Sequence, residues 1–177
     1  MPELLTISPY DPRWPEEFEA ESRRIHASLG PLALRIDHVG STSVPGLAGK
    51  PVIDIQISVE KLHPMDPYQV LLEQIGYTHV PHADDVIYPF LHRPETWPHT
   101  HHVHVCQAGD SEERRHLAFR DYLRDHPELT LEYAQVKRDL VRKFSAETFE
   151  SRNAYAEAKS VFIAPVLERA LKEGYPV

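Results

Sequence analysis

The sequence predicts an α+β fold: a small mixed sheet with its helices over about residues 1–109, then a helical third over about 110–177, read as one domain. Three observations lead there. Residues Val52–Val59 alternate, with Ile53, Ile55, Ile57 and Val59 on one side of an extended chain and Val52, Asp54, Gln56 and Ser58 on the other. Apolar residues recur at helical spacing in Trp14, Phe18, Ile25 and Leu29, and again in Leu129, Tyr133, Val136, Leu140 and Phe144. From Asp110 onward the period-two pattern is gone and only the helical one remains.

Taken in order, Trp14–Leu29 reads as an amphipathic helix stopped by Gly30-Pro31. Leu32–Val39 reads as a short strand and Val52–Val59 as a stronger one. Asp66–Ile75 suggests a helix ending at Gly76, and Tyr77–Val80 a brief strand. Val86–Leu91 and His101–Cys106 are the remaining strand candidates, joined by His92–Thr100, whose two prolines suit a connection better than an element. Asp110 and Glu113 stand at capping-box spacing before Leu117–His126. A last helix carries Tyr155, Phe162, Val166 and Ala170, and Pro165 should kink or divide it.

The 177 residues can bury one core, and an apolar share of 41% with a charged share of 26% is ordinary for a globular protein. No run is long enough to span a bilayer, and no basic segment followed by an apolar one opens the chain, so a cytoplasmic protein is expected. The single cysteine, Cys106, excludes an internal disulfide and reads as a small buried hydrophobe. The net charge of −8 lies wholly in residues 1–110. An acidic chain without a basic stripe is a poor binder of bulk nucleic acid, whereas a small phosphorylated ligand needs only a few local cations.

Chemistry concentrates in Ile36–Val59. Gly40 permits a tight turn, while Ser41, Thr42 and Ser43 offer hydroxyls and amides to phosphate oxygens and Lys50 adds a point charge. Alone, such a run would be a hydroxyl-rich turn; the strands on either side and Asp54 give it the phosphate reading. Asp54 lies in an apolar strand and must face a cleft or solvent, where it could hold Mg²⁺ or Mn²⁺. Gln56, not a second acid, follows on the same face. His102 and His104 would share one face of the His101–Cys106 strand, and with Asp54 and Gln56 they could form a mixed site favouring Mn²⁺, Zn²⁺ or Fe²⁺. Arg120 and Arg124, one helical turn apart, could clamp phosphate or pair with Asp121 and Asp125; Arg120 is carried forward as a phosphate contact. Tyr133–Lys137 and Tyr155–Lys159 share the pattern YAxxK, read as tyrosines that pack and lysines that snorkel to solvent.

The segments HVGSTSVPGLAGKPVIDI (His38–Ile55), HHVHV (His101–Val105) and LAFRDYLRDHPELTLEYAQVK (Leu117–Lys137) resemble the GrpB family. The resemblance extends from WPEEF near the start to YAEAKSVFI near the end. It implies a nucleotidyltransferase-like fold, similar to the polymerase-β-like catalytic core, with a mixed sheet flanked by helices. In that superfamily a Gly-Ser turn precedes Asp-x-Asp/Glu, and a later strand adds a third acid. Gly40-Ser41 match the turn and Asp54 the first acid. Gln56 replaces the second acid, and histidine stands in the later strand. The function expected is binding of a nucleotide or phosphorylated small molecule at the Gly40–Lys50 turn. If the protein is catalytic, Asp54 would support metal-dependent nucleotidyl or phosphoryl transfer. Two other readings stay open: a non-catalytic nucleotide-binding module, and a metal-dependent hydrolase built on the histidines.

Overall fold

The computed structural model describes residues 5–144 and 147–176. Helix α1 spans Trp14–Leu29, with Glu16 and Glu17 in its first turn, where acids oppose the positive end of the helix dipole. Its buried residues Trp14, Phe18, Glu21, Ile25 and Leu29 fall on one stripe. Gly30, at φ 52°, ends it. A short 3-10 turn at Gly30–Leu32 follows, so β1 is shorter than the sequence suggests and runs only over Arg35–Val39. Pro31 sets the φ of that turn, and Leu34 is half exposed, outside any strand.

Strand β2 is Ile53–Val59, α2 is Asp66–Gln74 and β3 is the two residues Thr78–His79. The strand expected at Val86–Leu91 is displaced. Ala83–Val86 forms a 3-10 turn whose cap, the His82 side chain, accepts from the Asp84 N–H, and Val86 and Ile87 are exposed. Strand β4 is Phe90–Arg93, so His92 belongs to the sheet rather than to the connection. Strand β5 is His101–Gln107.

The sheet order is β1-β2-β5-β4-β3, with β2 and β5 parallel and every other pair antiparallel. One face carries Ile53, Ile55, Ile57, Leu91, Val103 and Val105, packed against α1 and α2 as the first core cluster. Within it Glu21 is buried but satisfied: it accepts from Tyr77, Arg24 and Arg93, which ties α1 to β4.

The helical third holds α3 (Ser111–Asp125), α4 (Pro127–Val141), α5 (Phe149–Ala158) and α6 (Ser160–Lys172). Asp110 caps α3 by accepting from the Glu113 N–H, while the Glu113 carboxylate reaches back to the N–H of Gly109. Pro165 lies inside α6, and the division between α5 and α6 falls upstream of it, at Lys159. The second core joins α3, α4 and α6 to Val44, Leu47 and Ala48 of the β1–β2 connection. The helices therefore clamp that connection against the open face of the sheet.

Candidate functional site

The sheet register builds the floor. In the parallel β2–β5 pair Asp54 stands beside His102 and Gln56 beside His104, with side chains on the face opposite the first core. His102 Nδ1 is 3.1 Å from Asp54 Oδ1, and His104 Nε2 is 3.9 Å from the same oxygen. Burial alone would raise the Asp54 pKa, but the two imidazoles outweigh it and hold the carboxyl well below its usual range. Asp54, His102 and His104 thus converge.

Gln56 does not join them. It is fully buried, its carbonyl oxygen lies 2.7 Å from His116 Nδ1, and its amide donates to the Glu113 carbonyl. The residue that replaces the expected second acid is committed to α3.

Above Asp54 sits the turn. Gly40 has φ 70°, and a Cβ built there would lie 2.3 Å from Asp54 Oδ2. The Thr42 hydroxyl is buried, donates to the Val52 carbonyl and contacts His38 Nε2, while the Ser43 hydroxyl donates to the Gly40 carbonyl. Both are spent inside the turn, so among the expected phosphate-holding hydroxyls only Ser41 lines the cleft. Arg124 donates twice to the Ser43 carbonyl. Arg120 donates to the His38 carbonyl and grips Asp121 through two bonds. The two arginines brace the ends of the turn, although Arg120 also borders the cleft.

The cleft between this floor and α3–α6 measures about 740 Å³. Gly40, Ser41, Lys50, Asp54, His102, His104 and Arg120 all line it. It also holds basic residues outside the expected phosphate-binding set. Lys137 of α4 is buried, 2.9 Å from Ser41 Oγ and also bonded to the Ala48 carbonyl. Lys159 follows α5, its amine 5.1 Å from the centre of the Tyr155 ring, while Lys50 lies 4.5 Å from the same ring. Arg152 stacks over Trp97 at 4.6 Å. The YAxxK pairs therefore depart from the snorkelling expectation: both tyrosines are buried, and both lysines turn into the cleft. That internal echo was the available signal.

The electrostatics follow from burial. It lowers Lys50 to about 8 and Lys137 to about 7, each helped by the neighbouring charge of Lys159, and Lys159 itself is lowered. His38 falls to about 4 and His99 and His116 to about 3, chiefly by burial. His99 stacks on His92 with ring centres 3.7 Å apart and lies 3.3 Å from His102. Cys106 is buried, and burial pushes its thiol up to about 12.

The donor set does not fit a carboxylate-clamped pair of divalent ions. Asp54 is the one acid on the β2–β5 floor, Gln56 is engaged by His116 and the Glu113 carbonyl, and His102 is already hydrogen-bonded to Asp54. Among the described residues no three His, Cys, Asp or Glu side chains are arranged to hold a metal.

The fold is a nucleotidyltransferase-like α+β one, with a five-stranded mixed sheet and Asp54 on the floor of its cleft. The family model described as GrpB protein matches residues 4–169, and the chain belongs to that family. A UPF0157 protein of Halalkalibacterium halodurans is 41% identical over 167 residues, covering 94% of this chain and 82% of that protein. A dephospho-CoA kinase of Mycolicibacterium paratuberculosis is 31% identical over 94% of this chain, but the match spans only 46% of that protein. The crystal structure of GrpB from Enterococcus faecalis superposes with a TM-score of 0.83 at 34% identity, covering 95% of this chain and 98% of that one. The Cid1 poly(U) polymerase bound to MgGTP superposes with a TM-score of 0.52 at 15% identity, covering 74% of this chain and 43% of that one; this likeness is one of fold. No helix among the described residues is long and apolar enough to cross a membrane.

Proposed function

We propose that the cleft binds a nucleotide or a similar phosphorylated small molecule, with its phosphates over the Gly40–Lys50 turn. One observation carries this reading. Lys50, Lys137 and Lys159 line a single cleft, with Arg115, Arg120 and Arg152 around them, in a chain of net charge −8. Burial disfavours the charged forms of the three lysines, and a bound polyanion relieves that cost. The relative named dephospho-CoA kinase and the fold neighbour solved with MgGTP support a nucleotide-like ligand.

Ser41 Oγ and Lys50 would meet the phosphates from the turn, and Lys159 from the helical side. The commitment of Gln56 to His116 favours a second reading, in which the site binds without transferring. Neither reading routes a step through a metal held by Asp54.

Calorimetric titration with ATP, UTP and dephospho-CoA tests the proposal on wild type, Lys50→Ala and Lys159→Ala. The expected result is binding by the wild type, weakened about ten-fold or more in each variant, roughly 1.4 kcal/mol. A wild type that binds none of the three, or variants that bind as tightly as it does, would overturn the reading. Turnover on the same samples separates transfer from binding.

A further inference from the structure

The geometry points to Ser41 as a covalent nucleophile: its hydroxyl opens to the cleft and rests on the buried amine of Lys137, and we propose that it accepts the terminal phosphoryl group of a bound nucleoside triphosphate. The choice of donor rests on the nucleotide reading above; the activated serine does not.

The two side chains come from opposite parts of the chain, Ser41 on the β1–β2 connection and Lys137 on α4. Lys137 Nζ and Ser41 Oγ are 2.9 Å apart. Gly49 makes the approach possible, since a Cβ there would lie 2.7 Å from Ser41 Cβ and 3.7 Å from Lys137 Nζ. Lys137 is 2% exposed, so its amine is shielded from water while Ser41 remains partly open. Thr42 and Ser43 provide an internal contrast: the Thr42 hydroxyl is buried between the Val52 carbonyl and His38 and the Ser43 hydroxyl donates to the Gly40 carbonyl, whereas Ser41 alone of the three lines the cleft and has a lysine amine as its partner.

A buried lysine that is neutral near pH 7 is a general base for a hydroxyl. Burial is the main influence on Lys137. Lys159 and Arg138 also oppose its charged form, Asp54 favours it, and the Tyr133 ring lies 4.6 Å away. Lys137 Nζ donates to the Ala48 carbonyl and to Ser41 Oγ, and in the neutral amine the nitrogen lone pair takes up the Ser41 hydroxyl proton when the serine attacks.

In the step itself, Ser41 Oγ attacks the terminal phosphorus and the Oγ–P bond forms. The bridging P–O bond breaks, its electron pair leaving on the nucleoside diphosphate. The Oγ proton passes to Lys137 Nζ, which becomes an ammonium beside the transferred group. Lys50 and Lys159 face the phosphoryl oxygens from the same cleft.

The test uses the whole chain, incubated with ATP or UTP with and without Mg²⁺ and, separately, with a fluorophosphonate probe. Adducts are read by intact mass and mapped by peptide. The expected result is one phosphoryl group and one probe molecule on Ser41, neither on Ser41→Ala, with labelling about ten-fold or more slower in Lys137→Arg, which keeps a cation but not a base. Wild-type probe labelling should rise with pH through about 7. Calorimetric nucleotide binding without a Ser41 adduct overturns the phosphoryl acceptor and leaves the binding reading standing. If no nucleotide binds, probe labelling of Ser41 upholds the nucleophile and overturns the donor; no labelling overturns the nucleophile. Should Lys137→Arg fail to fold, a flat wild-type pH profile overturns the base.

Discussion

The carboxylate of Asp54 occupies the space that any side chain at residue 40 would need, with Oδ2 only 2.3 Å from a Cβ built on Gly40. The turn above the cleft and the acid on its floor are therefore one unit, fitted to each other across the β1–β2 pairing.

Gly40→Ala follows directly. The substitution introduces both a clash with Asp54 and a left-handed φ of 70°, costing about 1–3 kcal/mol. Denaturant unfolding should show a lower midpoint, and an unchanged midpoint would mean that the turn and Asp54 separate freely.

Arg124→Ala removes two N–H donors from the Ser43 carbonyl at the end of the same turn. The loss should destabilise the fold by about 1–2 kcal/mol. Amide exchange in Ser41–Leu47 should quicken more than in β5. Uniform quickening across the sheet would place the role of Arg124 elsewhere.

Asp54 should contribute stability at neutral pH. Its pKa is depressed in the folded state, so the contribution is complete above the unfolded value of about 3.9 and is lost as the pH falls through the folded value. Asp54→Asn should be less stable than wild type at pH 7, and the gap should close in acid. A gap that widens below pH 4 would reverse the assignment.

His38 and His116 govern a different window. Burial depresses them to about 4 and about 3, so both rings stay neutral in the folded protein down to acid and bind protons on unfolding below about 6.5. Their stabilising effect is present above that value and fades between about 6.5 and 4, each ring adding on the order of 1 kcal/mol per pH unit to the slope. Urea midpoints measured across this range should fall, and less steeply in His116→Gln.

Ligand binding has its own pH signature. An anion at Lys50 favours the protonated amine, whose pKa in the free protein is about 8. Nucleotide affinity should be highest below pH 8 and decline above it, with proton uptake at pH 8 visible as a buffer-dependent binding enthalpy. Affinity that rises with pH would exclude Lys50 from the phosphate contacts.

Much of the fold was legible because local patterns state it. The Ile53–Val59 alternation and the Trp14–Leu29 stripe describe one core from opposite sides, and both appear as predicted. The displaced strand at Phe90 was not legible, because His82 caps the Ala83–Val86 turn and leaves Val86 and Ile87, apolar as they are, in solvent. The convergence of Asp54 with His102 and His104 depends on β2 lying parallel to β5, a pairing that alternation alone cannot specify.

By itself the sequence determined the α+β class, the GrpB kinship and the Gly-Ser turn beside one acid, because these rest on periodicity and on a long contiguous motif. Tertiary structure decided what each polar group does. Thr42, Ser43, Gln56 and Arg124 have the right chemistry for a ligand, yet their hydrogen bonds are spent within the protein. Lys137 and Lys159, spaced like surface lysines, face the cleft because the helices that carry them close over the β1–β2 connection. A side chain's partners are set by long-range packing, and a hydrogen bond between residues 96 apart leaves no mark on the local sequence around either one.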